Sequence, residues 1–221
     1  DVQNSVFESQ FEANNTTPLA AIEVRAPDLQ VEASLSTFAG VFGDTIPVDF
    51  AVSNAGNGDS FTATHDRIWL SQNPALGGGE LLLATVSALE TPLPSGGSYI
   101  QDDLLVNLPL DASLTEGSYY IIVQTDVFSA QPESNEGNNV GTTVATINLS
   151  FPPLPDLQLA NASQVGPTPT SGQTVTIQWQ TINEGTVPIG DSFSERIGVQ
   201  NVSTGQQILN TVVPLVVDAT D

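Results

Sequence analysis

The sequence predicts an all-β chain of seven-stranded sandwiches in tandem, and three observations carry that expectation. Short segments alternate apolar and polar residues with a period of two, as where Ile46, Val48, Phe50 and Val52 interleave with Pro47, Asp49, Ala51 and Ser53. Turn-forming clusters separate these segments at sandwich spacing, and no stretch keeps a helical period. The sequence also repeats itself. Gly43-Asp44-Thr45-Ile46 returns as Gly172-Gln173-Thr174-Val175, Asn54-Ala55-Gly56 as Asn183-Glu184-Gly185, and Asp66-Arg67-Ile68 as Glu195-Arg196-Ile197, all at an offset of 129 residues. Three matches at one offset mark a tandem repeat.

Taken in order, residues 1–24 read as an acidic loop and one strand, with Leu19, Ala21, Ile22 and Val24 as its β-compatible positions. A lone strand has nothing to pair with, so this stretch reads as the tail of a preceding repeat. The joint Arg25-Ala26-Pro27-Asp28-Leu29-Gln30 follows, and a second joint, Pro152-Pro153-Leu154-Pro155-Asp156-Leu157-Gln158, shares its Pro-Asp-Leu-Gln. Proline fixes φ, which makes both joints short and stiff. Residues 25–151 hold one whole module. Its strands begin at Leu29, run through Ile46–Val52, Thr64–Ser71, Leu81–Val86, Tyr99–Leu108 and Tyr119–Thr125, and finish with Val140–Leu149. Pro47 limits hydrogen bonding in its strand, so it is expected near the strand start or at an edge. Residues 152–221 read as the first part of a further module, so the chain is expected to be a window on a longer array.

Composition narrows the function classes. The chain has 25 Asp and Glu against three Arg, no Lys and a formal net charge of −22. Nucleic acid is disfavoured, because phosphates need basic side chains to displace their counterions. Anionic membrane surfaces are disfavoured for the same reason. No apolar run approaches the ~18 residues needed to insert into a bilayer. With no cysteine there are no disulfides, zinc-thiolate sites or thiol nucleophiles, and with no lysine there are no Lys–Asn cross-links. An acidic surface suits salty media and divalent cations, or serves solubility alone.

The ordered set Pro27-Asp28-Leu29, Asn54-Ala55-Gly56-Asn57-Gly58, Asp66-Arg67-Ile68-Trp69-Leu70-Ser71, Gly117-Ser118-Tyr119-Tyr120 and Glu133-Ser134-Asn135-Glu136-Gly137-Asn138-Asn139 resembles CARDB, the cell-adhesion-related domain found in bacteria. The resemblance spans residues 27–149 and recurs in part over 155–221, where Gly198 stands in place of Trp69. It implies immunoglobulin-like β-sandwiches in tandem within large bacterial surface or secreted proteins. It implies neither a defined ligand nor catalysis.

The candidate site is the acidic loop. Asp126, Glu133, Glu136 and Asn138 offer clustered oxygens on a turn, the donor type that Ca²⁺ takes. A solvated loop with asparagine turn bonds is the competing reading. Asp1, Glu8, Glu12 and Asn14 form a second, partial copy, since Asp1 precedes Glu8 by the same seven residues that separate Asp126 from Glu133. Arg67 and Arg196 are expected to pair with carboxylates on neighbouring strands and to lay their stems on apolar surface. His65, the sole histidine, has no nucleophile motif beside it, and Glu80 with Asp102-Asp103 is too common a pattern in so acidic a chain to mark a glycosidase. The chain is therefore expected to be non-catalytic, extracellular or on the cell surface. Its expected partners are neighbouring repeats and other copies in a fibre or sheath. The alternative is a carbohydrate-binding accessory module, with Trp69 and Tyr99, Tyr119 and Tyr120 forming a planar row. Sequons at Asn14, Asn15, Asn148, Asn161 and Asn201 also allow a glycan.

Overall fold

Period-two alternation places every second side chain on one face of a strand, and burying that face needs a second sheet laid against it. A computed structural model, which describes Val6, Ser9 and residues 18–215, shows that arrangement. Its strands are β1 (Leu29–Ser34), β2 (Ala39–Val41), β3 (Thr45–Asn54), β4 (His65–Ser71), β5 (Leu81–Ser87), β6 (Ser98–Asn107), β7 (Gly117–Gln124), β8 (Val140–Thr142), β9 (Ile147–Ser150), β10 (Leu157–Val165), β11 (Thr176–Asn183), β12 (Phe193–Gln200) and β13 (Gln207–Leu215). No helix occurs among the described residues. The chain divides into two compact units, residues 1–40, 44–109 and 116–149, and residues 41–43, 110–115 and 150–221.

In the first unit β1, β3 and β6 form one antiparallel sheet, in that order. The second sheet runs β2-β9-β7-β4-β5, with β8 also paired to β7. Ile46, Val48, Phe50 and Val52 of β3 are buried, as their alternation requires, and they share the core with Ile68, Leu70, Ile121, Val123, Ile147 and Leu149. This is an immunoglobulin-like sandwich. Pro47 lies beyond the end of β1, whose pairing with β3 stops at Asp49, so its missing N–H leaves no ladder bond unmade.

Two strands differ from expectation. The last strand is broken into β8 and β9 because residues 143–146 leave the ladder. Thr143 bridges the break, its N–H donating to the Ile121 carbonyl at 3.0 Å and its hydroxyl accepting from the Ile121 N–H at 3.2 Å. Residues 19–24 form no strand: Leu19, Ile22 and Val24 are 85%, 81% and 81% exposed, and among the described residues no strand pairs with them.

A buried carboxylate joins the two sheets. Asp66 points inward from β4, where its Oδ2 accepts from the Tyr99 hydroxyl of β6 at 2.6 Å and its Oδ1 from the Thr125 hydroxyl at 2.7 Å. Burial raises the Asp66 pKa, against the lowering effect of those two hydroxyl bonds. Burial also pushes the Tyr99 hydroxyl pKa up, the Asp66 charge adding to it. In the second unit β10 pairs with β11 and β12 with β13. There Glu195, at the repeat position of Asp66, accepts from the Trp179 ring nitrogen and the Thr181 hydroxyl.

The network gives a mutational expectation. Tyr99→Phe should cost about 1.5–3 kcal/mol, the value of a hydrogen bond to a charged group. Asp66→Ala should cost more, about 3 kcal/mol, because it strands both donors in the core. Urea unfolding at constant slope measures both, and a Tyr99→Phe variant as stable as the parent would contradict the bond.

Candidate metal centre and the clamp on the first strand

The acidic loop is shaped by its own side chains. Asp126 follows β7 at a left-handed φ of 43°, a conformation that aspartate tolerates better than most residues. Its Oδ1 accepts from the Ala130 N–H at 3.0 Å and its Oδ2 from the Gln131 N–H at 2.9 Å. Gln131 is fully buried, and its Oε1 accepts from the backbone N–H of Phe61 and Thr62 at 2.8 and 3.1 Å. The loop is thereby tied to the segment before β4. A tight turn follows, in which Glu136 accepts from the Glu133 N–H at 3.0 Å and Asn135 from the Gly137 N–H at 3.1 Å.

These turns bring carboxylate oxygens of Asp126, Glu133 and Glu136 within 4.8 Å of one another. Asp126 is buried, Glu133 half-buried and Glu136 exposed. Burial pushes the Glu133 carboxyl up to about 7, with the charges of Glu136 and Asp126 adding to the rise and hydrogen bonds from Leu29 and Asn139 opposing it. Three converging carboxylates with one pKa so raised make a cluster that a cation relieves, and the group can hold a metal ion.

Two amides follow in the loop. Asn138 donates its Nδ2 to Asp28 Oδ1 at 2.8 Å, and Asn139 donates its Nδ2 to Glu133 Oε1 at 2.9 Å. The Oδ1 atoms of both are buried without a hydrogen-bond partner. Unpartnered buried carbonyl oxygens are costly, and each of these two keeps its acceptor capacity unused. Of the residues expected from sequence, Asp126, Glu133 and Glu136 converge, whereas Asn138 bonds Asp28. Asp28 and Asn139 were not foreseen. The partial copy at Asp1, Glu8, Glu12 and Asn14 lies outside the described residues.

The loop also grips the start of the sandwich. A Glu133 carboxylate oxygen accepts from the Leu29 N–H at the head of β1. Ser134 donates its N–H and its hydroxyl to the Pro27 carbonyl at 2.8 and 3.3 Å. The 54–58 turn holds the other side. Asn54, buried, accepts from the Asp28 and Gly56 N–H groups at 3.0 Å each and donates to the carbonyls of Gly58 and Leu93 at 2.9 and 3.0 Å. Gly56 is required there, since a Cβ would stand 2.4 Å from the Ala26 carbonyl oxygen.

The other candidates resolve differently. Neither Arg67 nor Arg196 makes an ion pair among the described residues, where the one such pair is Arg25 with Glu23 at 3.2 Å, so the expected carboxylate partners on neighbouring strands are not found. Arg67 instead lies over two aromatic rings. Tyr99 and Tyr119 are in the core, which breaks the expected planar row. Glu80 is held below the usual carboxylate range by the backbone N–H groups of Gly77 and Gly78, and so closes the turn before β5.

The CARDB family model matches residues 26–143. No curated protein matches. Among solved structures, the chain is similar to the CARDB domain of the PF1109 protein from Pyrococcus furiosus, crystallised in complex with di-metal ions (19% identity, 59% of this chain, 100% of that chain, TM-score 0.42). The solution structure of the same domain is similar too (21% identity, 57% and 97% covered, TM-score 0.39). A beta-glucosidase from Listeria innocua in complex with isofagomine matches at 10% identity over 56% of this chain and 16% of its own, with a TM-score of 0.37. With the family model spanning more than half of its length, the chain belongs to the CARDB family.

Proposed function

We propose that the chain is a non-catalytic, extracellular repeat of a bacterial surface protein, a spacer or fibre-forming element that calcium stiffens. One observation carries this reading. The loop that gathers Asp126, Glu133 and Glu136 is the loop that holds Pro27 to Leu29, so the occupancy of an ion bears on where the preceding segment leaves the sandwich. Membership of the CARDB family supports a surface-associated, non-catalytic module.

The coupling runs through Glu133. Without a cation, its carboxyl is pulled toward the neutral form by burial and by the charges of Glu136 and Asp126. A bound cation holds it ionised, and an ionised carboxylate is about twice as strong an acceptor for the Leu29 N–H as a neutral group. Calcium fits better than magnesium here. It accepts six to eight oxygens in irregular geometry, as a mixed set of carboxylates, amides and water offers, whereas magnesium demands a near-ideal octahedron.

Millimolar Ca²⁺ should raise the melting temperature by several degrees, and EDTA should reverse the rise. A Glu133→Gln, Glu136→Gln double variant should lose the response. No shift with millimolar Ca²⁺ would sink the proposal.

The ion-free protein should also show a pH dependence of definite sign. The Glu133 carboxyl titrates at about 7 in the fold against a reference value of 4.5, so the folded state holds the proton more tightly. Its contribution to stability is present below the reference value and is lost as pH rises through about 7. In chelator, therefore, the melting temperature should fall across that window, and Glu133→Gln should flatten the fall. A rise with pH that Glu133→Gln removes would contradict the assigned shift.

A further inference from the structure

The outward face of β4 carries a cation that the fold leaves without an anion. Arg67 stands opposite the inward Asp66, with its guanidinium carbon 5.8 Å from the centre of the Trp69 ring and 5.2 Å from that of Phe128. It makes no ion pair among the described residues, and its Nε is enclosed without a hydrogen-bond partner. The terminal nitrogens are the part left to meet an anion. Phe128 is 58% exposed, and the His65 ring meets it edge-on at 5.4 Å. Two rings thus hold the guanidinium in place, and a held guanidinium loses less entropy when its fork takes a carboxylate.

The sandwich does not require this arrangement. At the repeat position of Trp69 the second unit has Gly198, so Arg196 has no equivalent ring beside it on its strand. Charge complementarity names the occupant. The chain has 25 Asp and Glu, no Lys and three Arg, of which Arg25 is already paired, so any neighbouring copy offers carboxylates in large excess. We propose that Arg67, cradled by Trp69 and Phe128, takes a carboxylate from a second copy of this chain, and that the outward face of β4 is a lateral contact between copies. The net charge of −22 opposes association at long range, but at physiological ionic strength that repulsion is screened beyond about 8 Å. The contact should therefore be strongest at intermediate salt.

Sedimentation velocity on the full chain, in EDTA so that the acidic loop has no bearing, tests this over a wide concentration range at about 0.15 M salt. The parent should self-associate. Arg67→Gln should weaken association at least about tenfold, as expected when one partner of a close charge pair is removed. Arg67→Lys, which keeps the charge without the planar fork, should also be weaker, with circular dichroism confirming that both variants are folded. A parent that stays monomeric, or a folded Arg67→Gln that associates equally well, overturns the proposal. So does Arg67-dependent binding of an oligogalacturonate by a monomer, which would assign the face to an acidic glycan.

Discussion

The backbone from Ala26 to Leu29 is held from two sides, and the register of the first unit follows from that hold. On one side Asn54 accepts the Asp28 N–H while the Asp28 carbonyl takes the Ala55 N–H at 2.7 Å. On the other, Glu133 and Ser134 take the Leu29 N–H and the Pro27 carbonyl. Leu29 is thereby set opposite Asn54 and Val31 opposite Val52, which buries both apolar residues. Slipping by one residue would turn them outward. The same line passes close to β8, where a Cβ on Gly141 would come within 2.3 Å of the Val31 carbonyl oxygen. An event in the acidic loop is therefore an event at the joint.

Half of this clamp appears again in the second unit, by itself. Asn183 accepts from Asp156 at 2.9 Å and Gly185 at 3.0 Å and donates to the Val187 carbonyl at 2.8 Å, and a Cβ on Gly185 would meet the Leu154 carbonyl oxygen at 2.4 Å. These are the bonds of Asn54 and Gly56 moved along the repeat. The repeated Asn-x-Gly is thus a physical device, a side chain that copies a backbone ladder and a glycine that lets a strand pass. The polar position after it is also kept, but its partners differ. Asp66 reaches Tyr99 on β6 and Thr125 just past the end of β7, whereas the longer Glu195 reaches Trp179 and Thr181 on β11.

Much of this was legible in the sequence because it is local. The alternation of Ile46 to Val52 fixes which side chains are buried, and the turn residues fix where strands stop. Of the four candidates in the loop, Asp126, Glu133 and Glu136 converge because one short turn carries Glu133 and Glu136 back toward Asp126. What was not legible depends on non-local approach. Nothing in the neighbourhood of Asp28 signals that it meets Asn138, 110 residues on. Charge complementarity suggested carboxylate partners for Arg67, but two rings compete for the guanidinium, and Phe128 comes from a loop that no periodicity describes. The strand expected at 19–24 differs for the opposite reason: its residues suit a sheet, but no strand among the described residues pairs with them.

The central claim is that the acidic loop holds the first strand through Glu133 and that a cation tightens the hold. Amide hydrogen exchange at Leu29 and Ser134, measured with and without millimolar Ca²⁺, reads that bond directly. Exchange at both amides should slow on adding Ca²⁺ in the parent and be indifferent to it in Glu133→Gln, while core amides such as Ile121 change only as global stability changes. Exchange at Leu29 that does not respond to Ca²⁺, in a protein shown to bind the ion, would contradict the coupling between loop and strand.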